Sequence, residues 1–502
     1  MEIEWVDGSV DMRCAVCGRL HAHQLLARVP VNWREAPIEI ARCAQCGAVI
    51  LSAVLPPSAY TEADWDWYIE QLAGLEAIAD TLAATGAPRG RRMLDVGCGY
   101  GFALDVARFL YDWEGVGLDP SIVAARGRTE LGLDIRPGTL DDAFEPDHRF
   151  DVIFSSEVIE HIAEPREFLA AARRRLSPDG ILVLTTPDAA AVRPDTSGTM
   201  LHPVLSVGLH EFLVDAVGLD RLLREAGFVS KVWEIGASLR AVAALRAAPL
   251  ASVRPDARVH LLELARYCDV RRAAAVPGSA LALGMASRHL KYAVNERAFE
   301  LAVARLPALR QALLDRHAID LADPAAALNG ANVPAVLAVI YYNLGLLKLL
   351  YQRAPKRAAV YFSAAAWVGK EVFDRCGLYP DPETAVVEAL SRGNLALALA
   401  HFAPEEVEGV LAGLDAALQR GAGDSEMVAS YRARVEAELA LRRTRRGRAY
   451  RRARAVAGRV TRRVARRRRL SRVPKNPGVT PGRRWSGRRA STGGRGASSP
   501  SV

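Results

Sequence analysis

The stretch Leu94-Asp95-Val96-Gly97-Cys98-Gly99-Tyr100-Gly101 constrains this chain more than any other. It begins in a short apolar run and opens into an amphipathic one, so it reads as the turn from a first strand into a helix. Glycines spaced this way let backbone approach a nucleotide-like ligand without Cβ clashes. Spaced glycines alone are weak evidence, because dinucleotide sites carry them too. The acids around them decide. Asp95 sits within the strand end, where it can receive charge from an amino-acid moiety. Asp119 closes the next run, Gly115-Val116-Gly117-Leu118-Asp119, about 20 residues further on, where an acid accepts both hydroxyls of a ribose. The D-x-G-x-G order is not that of a dinucleotide turn.

Further runs, Phe150-Asp151-Val152-Ile153-Phe154 and Ile181-Leu182-Val183-Leu184-Thr185, alternate with helical stretches such as Phe168 to Leu176. That alternation is the α/β signature. At 502 residues the chain is too long for one ordinary domain, and length suggests about two to four. Residues 1–58 hold two cysteine pairs and end in Pro56-Pro57-Ser58. Residues 59–245 carry the α/β pattern, residues 246–440 turn Ala/Leu/Arg-rich and helical, and residues 441–502 are Arg-rich and expected to be largely disordered.

Residues 60–245 resemble the class I S-adenosylmethionine-dependent methyltransferases. Phe150-Asp151-Val152-Ile153 followed by Glu157-Val158-Ile159-Glu160-His161-Ile162 is similar to their fourth strand and the loop after it. Leu176-Ser177-Pro178-Asp179-Gly180 is similar to their L-x-P-G-G segment, with Asp179 in place of the usual glycine. His210-Glu211-Phe212 and Leu222-Leu223-Arg224-Glu225-Ala226-Gly227-Phe228 match the late segment of the ubiquinone-biosynthesis-like subgroup. The resemblance implies a Rossmann-like, seven-stranded, mostly parallel sheet with helices on both faces. It implies S-adenosylmethionine as cofactor, with Asp95, Gly97, Cys98, Gly99 and Gly101 at the turn and Asp119 on the ribose. Thr139 and Leu140, within Gly138-Thr139-Leu140-Asp141, should flank the adenine, and Ser156 should lie under the donor. Cys98 reads as a small buried filler rather than a nucleophile.

Methyl transfer from a sulfonium requires in-line alignment and removal of a proton from the acceptor. Candidate bases are His161, Glu160, Glu157, His202 and His210. The Glu157/Glu160/His161 stretch has three readings: a structural cap after the fourth strand, a base or substrate contact, or ligands for a divalent cation (Mg or Mn). The last follows from similar residues in certain ubiquinone O-methyltransferases and small-RNA 3′-end methyltransferases, with a fourth ligand from His202 or His210 as conjecture.

Cys14-Ala15-Val16-Cys17-Gly18 and Cys43-Ala44-Gln45-Cys46-Gly47 stand 25 residues apart. Four thiolates in two C-x-x-C pairs fit a tetrahedral, structural zinc, and the glycines permit tight knuckle turns. His21 and His23 are expected to face solvent. A zinc ribbon before such a domain resembles deoxysugar and related carbohydrate methyltransferases, and Tyr60, Trp65, Trp67 and Tyr68 are similar to the Tyr-containing linker there. Packing is the better reading of these aromatics than sugar stacking.

Tyr341-Tyr342-Asn343-Leu344-Gly345 with Ala358, Phe362 and Ala365 resembles one tetratricopeptide-type hairpin, but such units need stacked neighbours and no second copy stands out. Residues 246–440 therefore read as an all-α accessory domain for docking or oligomerisation. The net charge of +9 conceals an asymmetry. From Arg442 to Val502 there are 22 Lys or Arg and no acid, leaving 44 basic against 57 acidic residues elsewhere. An acidic body with a basic tail suggests an anionic membrane surface or nucleic acid as a tail partner. No apolar run reaches a membrane span and the N-terminus is acidic, so the expected location is cytoplasmic, peripheral at a membrane. The expected function is methyl transfer to a sugar or glycan acceptor, at oxygen or carbon. The alternatives are an RNA 2′-O-methyltransferase with a cation at Glu157/Glu160/His161, or a non-catalytic scaffold.

Overall fold

The structure is a computed structural model and describes residues 3–55, 63–138, 140, 144–145, 147–324, 333–376 and 381–444. The chain divides into two units, Met1–Ala440 and Leu441–Val502, and among the described residues every strand lies in the first. The Arg-rich end expected to be disordered falls, from 445 onward, outside the described residues.

At the N-terminus β1 (Glu4–Arg13), β2 (Leu20–Val29), β3 (Ile38–Arg42) and β4 (Val49–Leu51) form an antiparallel meander. Each cysteine pair makes the turn between two strands. Gly18 and Gly47, at φ +71° and +78°, take the left-handed conformation that closes each turn. Their N–H groups donate to the carbonyls of Cys14 and Cys43 at 2.7 and 2.9 Å.

The main sheet contains β5 (Arg92–Val96), β6 (Glu114–Leu118), β7 (Asp134–Arg136), β8 (Phe150–Ser156), β9 (Leu176–Pro187), β11 (Val229–Ile235) and β12 (Ser238–Ala244). Its order is β11-β12-β9-β8-β5-β6-β7, antiparallel at β11 and β12 and parallel elsewhere. This is the seven-stranded, mostly parallel arrangement expected from the motifs. The strands are apolar on both faces because both are covered. On one face Met93, Val152, Val183 and Val242 pack under α2 (Leu75–Ala84), α3 (Phe102–Tyr111) and α4 (Ile122–Leu131). That core continues past residue 245 into α8 (Leu261–Ala274) and α9 (Ala280–Asn295) through Leu264, Tyr267 and Met285. On the other face Leu94, Ile153, Leu182 and Ala241 meet α5 (Pro165–Arg175) and α7 (Ala216–Glu225), together with Val16 and Ile50 of the N-terminal sheet.

The two sheets are joined by β10 (Phe212–Leu213), which pairs antiparallel with β4 through Phe212–Ile50 and Leu213–Val49. Arg166 of α5 donates to the Val16 carbonyl at 3.0 Å and Arg221 of α7 to the Cys46 carbonyl at 2.5 Å. Each cysteine turn is thus held by an arginine from the larger domain.

Between the sheets in sequence lies α1 (Ala63–Gln71). Its Asp66 bridges Arg126 of α4 and Arg316 of α10 (Phe299–His317), both at 2.7 Å. The remaining helices are α6 (Gly198–Leu205), α11 (Val336–Leu346), α12 (Pro355–Cys376), α13 (Pro382–Leu399), α14 (Val407–Gln419) and α15 (Ser425–Arg443). In the hairpin α11–α12 a Cβ on Gly345 would meet the Phe362 ring at 2.5 Å, so glycine sets that approach. Among the described residues no helix is long and apolar enough to cross a membrane.

Candidate active site

The turn after β5 is shaped by glycines that nothing else can replace. Gly97 and Gly101 have φ of +70° and +90°, and a Cβ on them would lie 2.4 Å from Val158 Cγ2 and 2.6 Å from Leu133 Cδ1. At Gly99 a Cβ would meet nothing within 4 Å, so the turn is open on that side. The Asp119 carboxylate accepts the Gly99 N–H at 2.7 Å and the Ser121 N–H at 2.8 Å, which locks it to the turn. Asp95 is 2% exposed, and among the described residues its side chain makes no hydrogen bond or ion pair. Burial, with the charge of Asp119 added, pushes its carboxyl well above the usual carboxylate range. From α1, Tyr68 feels both acids. Burial first and then those two charges push its phenol up to about 12, so it keeps its O–H. Two neighbouring acids without a cation suit a ligand that brings positive charge.

At the end of β8 two polar groups diverge. Ser156 lies 2.7 Å from Thr185 Oγ1, which donates to Glu157 Oε1 at 2.8 Å; the proton order is therefore Ser156 to Thr185 to Glu157. Glu157 keeps solvent-accessible surface. Burial raises its pKa against the Thr185 hydrogen bond and the Arg240 charge. The second group is Glu160, His161 and His210, whose ligating atoms lie within 4.8 Å of one another. Glu160 Oε2 accepts from Thr186 at 2.9 Å, while its Oε1 is buried without a hydrogen-bond partner and stands 4.0 Å from His210 Nε2. His161 Nδ1 meets the Leu209 carbonyl and His210 Nδ1 the Val204 carbonyl, both at 2.9 Å. A carbonyl only accepts, so both Nδ1 atoms carry the proton and both Nε2 atoms present lone pairs. Burial lowers the pKa of His161 and drives that of His210 down to about 3.

Residues 68–231 match a family described as "Methyltransferase domain". The chain carries a class I S-adenosylmethionine-dependent methyltransferase domain. Among curated relatives, it is 38% identical over 126 residues to "Ubiquinone biosynthesis O-methyltransferase" of Cereibacter sphaeroides, covering 24% of this chain and 50% of that one. It is 33% identical over 143 residues to a probable S-adenosylmethionine-dependent methyltransferase of Mycolicibacterium smegmatis, covering 28% and 52%. The chain spans about half the length of the curated relatives it matches. Of solved structures, the glycopeptide N-methyltransferase MtfA complexed with S-adenosyl-L-methionine aligns over 34% of this chain and 94% of its own, at 20% identity and TM-score 0.29.

Within the methyltransferase domain the residues expected at the donor turn, Asp95, Gly97, Cys98, Gly99, Gly101 and Asp119, lie together. Cys98 fills space: a Cβ on Gly117 would meet its sulfur at 2.5 Å. Burial, then the Asp95 and Asp119 charges, raise its thiol pKa, so it stays protonated. Thr139 and Asp141 lie outside the described residues, and Leu140 is buried in the core shared with α5 and α7. The Glu157/Glu160/His161 trio is not what the structure groups. Glu157, at φ +55°, turns to Thr185, and His210 from the strand-β10 segment takes its place beside Glu160 and His161. His202 sits on α6, outside this group, with its Nδ1 buried and unbonded. The motifs do not reveal Tyr68 beside Asp95 and Asp119, Thr185 and Thr186 as partners of the glutamates, or Arg240, whose charge reaches Glu157, with Trp233 opposite it in register. Those last two have no local pattern, because only strand register lines them up with Thr185 and Ser156.

Cys14, Cys17, Cys43 and Cys46 converge, with Sγ separations of 3.5 Å for Cys14–Cys46 and 3.8 Å for Cys17–Cys43. Sulfurs about 2.3 Å from a tetrahedral zinc stand about 3.8 Å apart, so the set fits one ion. His23, expected in solvent, is 1% exposed and bonds the Met12 carbonyl at 2.8 Å; His21 reaches Cys43 Sγ at 3.8 Å.

Proposed function

We propose that the protein transfers the methyl group of S-adenosylmethionine to a hydroxyl of a sugar or glycan-type acceptor. The observation that carries the donor half is the pair Asp95 and Asp119 beside the open Gly99 turn under Tyr68. Bound there, the donor supplies an electrophilic methyl on a positively charged sulfur. Asp119 would take the ribose hydroxyls, and Asp95 with Tyr68 the methionine end. The acceptor would enter beside the exposed Glu157. His161 Nε2 would take its proton: the imidazole is exposed at the surface of the group, neutral at pH 7 and fixed in tautomer by Leu209. Glu160 and His210 would steady the imidazolium that forms. The N-terminal cysteine set supports a structural zinc and, by the resemblance to sugar methyltransferases, the class of acceptor.

A second reading of the Glu160/His161/His210 group has its own observation. One buried carboxylate oxygen of Glu160 lacks a hydrogen-bond partner, His210 Nε2 stands 4.0 Å from it, and His161 belongs to the same group, with both Nδ1–H groups held by carbonyls; second-shell bonds of this kind orient metal ligands. Those three residues would hold a divalent cation, which would acidify an acceptor hydroxyl. Two experiments test these readings. Asp119→Ala should weaken S-adenosylhomocysteine binding at least tenfold by calorimetry, and unchanged affinity removes the ribose assignment. Chelator treatment should leave the rate intact if His161 acts alone; loss restored by Mn²⁺ selects the cation.

A further inference from the structure

Arg240 on β12 is 6% exposed. Among the described residues it makes no hydrogen bond, no ion pair and no ring contact, and its Nη1 is fully buried. A charge removed from water without a partner is strongly unfavourable, so a chain that keeps one in its core has a use for it. Its charged neighbours act on it through space, without a hydrogen bond or ion pair among the described residues. Asp80 and Glu157 are the carboxylates whose charge reaches it, and Arg258 repels it. Asp80 already accepts the Val259 N–H at 2.9 Å and faces Arg258 at 3.4 Å. Glu157 is held by Thr185.

Register supplies the rest. Trp233 of β11 stands directly opposite Arg240, Arg240 opposite Thr185 of β9, and Thr185 opposite Ser156 of β8. Residues in lateral register share one face of the sheet. Trp233, Arg240, Thr185 and Ser156 thus form a single polar row across four strands, on the face that buries Val242 and Val183 under α2 and α8. Trp233 Nε1, like Arg240 Nη1, is buried without a partner. Indole N–H and guanidinium are donors only. Two unbonded donors on facing residues of one sheet face suit an oxyanion.

We propose that Arg240 and Trp233 bind an anionic group, a phosphate or carboxylate, carried by the methyl acceptor. Strands lie about 4.8 Å apart, so Arg240 stands about 10 Å and Trp233 about 14 Å along the sheet from Ser156, where the donor's methyl would arrive. That spacing suits a ring with an acidic substituent on the side away from the reacting hydroxyl, as in a sugar phosphate or a uronic acid. The inference rests on Ser156 and Glu157 marking the methyl-transfer end.

The test uses the full chain labelled with ¹⁵N at tryptophan indoles. The Trp233 resonance is identified by its loss in Trp233→Phe, which separates this site from any anion bound by the Arg-rich end. Inorganic phosphate and acetate, titrated separately, should shift that resonance saturably and show which oxyanion is preferred. In Arg240→Met the shift should vanish while S-adenosylhomocysteine affinity stays within twofold of the parent; this also shows that the variant folds. Arg240→Lys should retain a weaker shift. No shift with either anion in the parent, or the same shift in Arg240→Met, overturns the proposal. A tenfold loss of S-adenosylhomocysteine affinity in Arg240→Met also overturns it, by giving the guanidinium to the donor. Failure of the donor reading alone would look different: no S-adenosylhomocysteine binding in the parent, with the anion shift intact.

Discussion

Arg288 in the helical layer and Arg240 on the sheet are buried to nearly the same degree, 2% and 6% exposed, yet their surroundings are opposite. Arg288 donates to the Gln71 carbonyl at 2.8 Å and to Glu383 at 3.0 and 2.5 Å. Lys291 shares that glutamate at 2.8 Å and reaches Glu76 at 2.6 Å. Among the described residues Arg240 makes no hydrogen bond or ion pair. A saturated buried charge fixes architecture: Arg288 pins the end of α1, the helix that carries Tyr68 within reach of the Asp95 and Asp119 charges. An unsaturated one lowers stability and prepares a binding surface. The helical layer thus spends its charges on positioning, while the sheet face keeps one for a ligand.

The contrast can be broken or sharpened in three ways. The largest effect belongs to Glu383→Gln, which leaves Arg288 buried beside a neutral amide and should lower unfolding free energy by about 3–5 kcal/mol in urea titration. Acid comes next. Burial opposes ionisation of Glu383, but the charges of Arg288 and Lys291 overcome it and hold the carboxyl at about 2, from an ordinary 4.5. The stabilisation is complete above pH 4.5 and disappears as pH falls toward 2, a change of about 3 kcal/mol. Stability curves of parent and Glu383→Gln should therefore converge in that window; parallel curves would deny the clamp. The smallest effect has the opposite sign. Arg240→Met should raise the unfolding free energy of the free protein by about 1–2 kcal/mol, and destabilisation there would mean that Arg240, like Arg288, is structural.

The sequence displayed the features that are local. The glycine turn, Asp119 and both cysteine knuckles are each encoded within a few residues, by backbone conformations that only glycine adopts or by ligand spacing, and the alternating runs announce the sheet. What stayed hidden depends on contacts between distant segments. Glu157, Glu160 and His161 are spaced like one helical face, yet only a single 3₁₀ turn spans Ile159–His161, and the positive φ at Glu157 sends its side chain elsewhere. His210 joins the group because β10 fixes its segment, and a two-residue strand has no periodicity to read. Arg240 and Trp233 sit in ordinary strand sequence; their meaning arises from register alone.

Strand β10 also sets an order of events as the chain is made. Its partner β4 emerges about 160 residues earlier, which at 5–20 residues per second is about 8–30 s of synthesis. Throughout that interval the apolar edge Val49-Ile50-Leu51 waits without its neighbour, the kind of open edge to which other chains add. With a metal ion on Cys14, Cys17, Cys43 and Cys46, as we propose, a nascent N-terminal sheet would be held in shape until Phe212 and Leu213 arrive. One without it would meet the rest of the protein as a loose strand, so metal supply during translation should govern how much of this protein is recovered in soluble form.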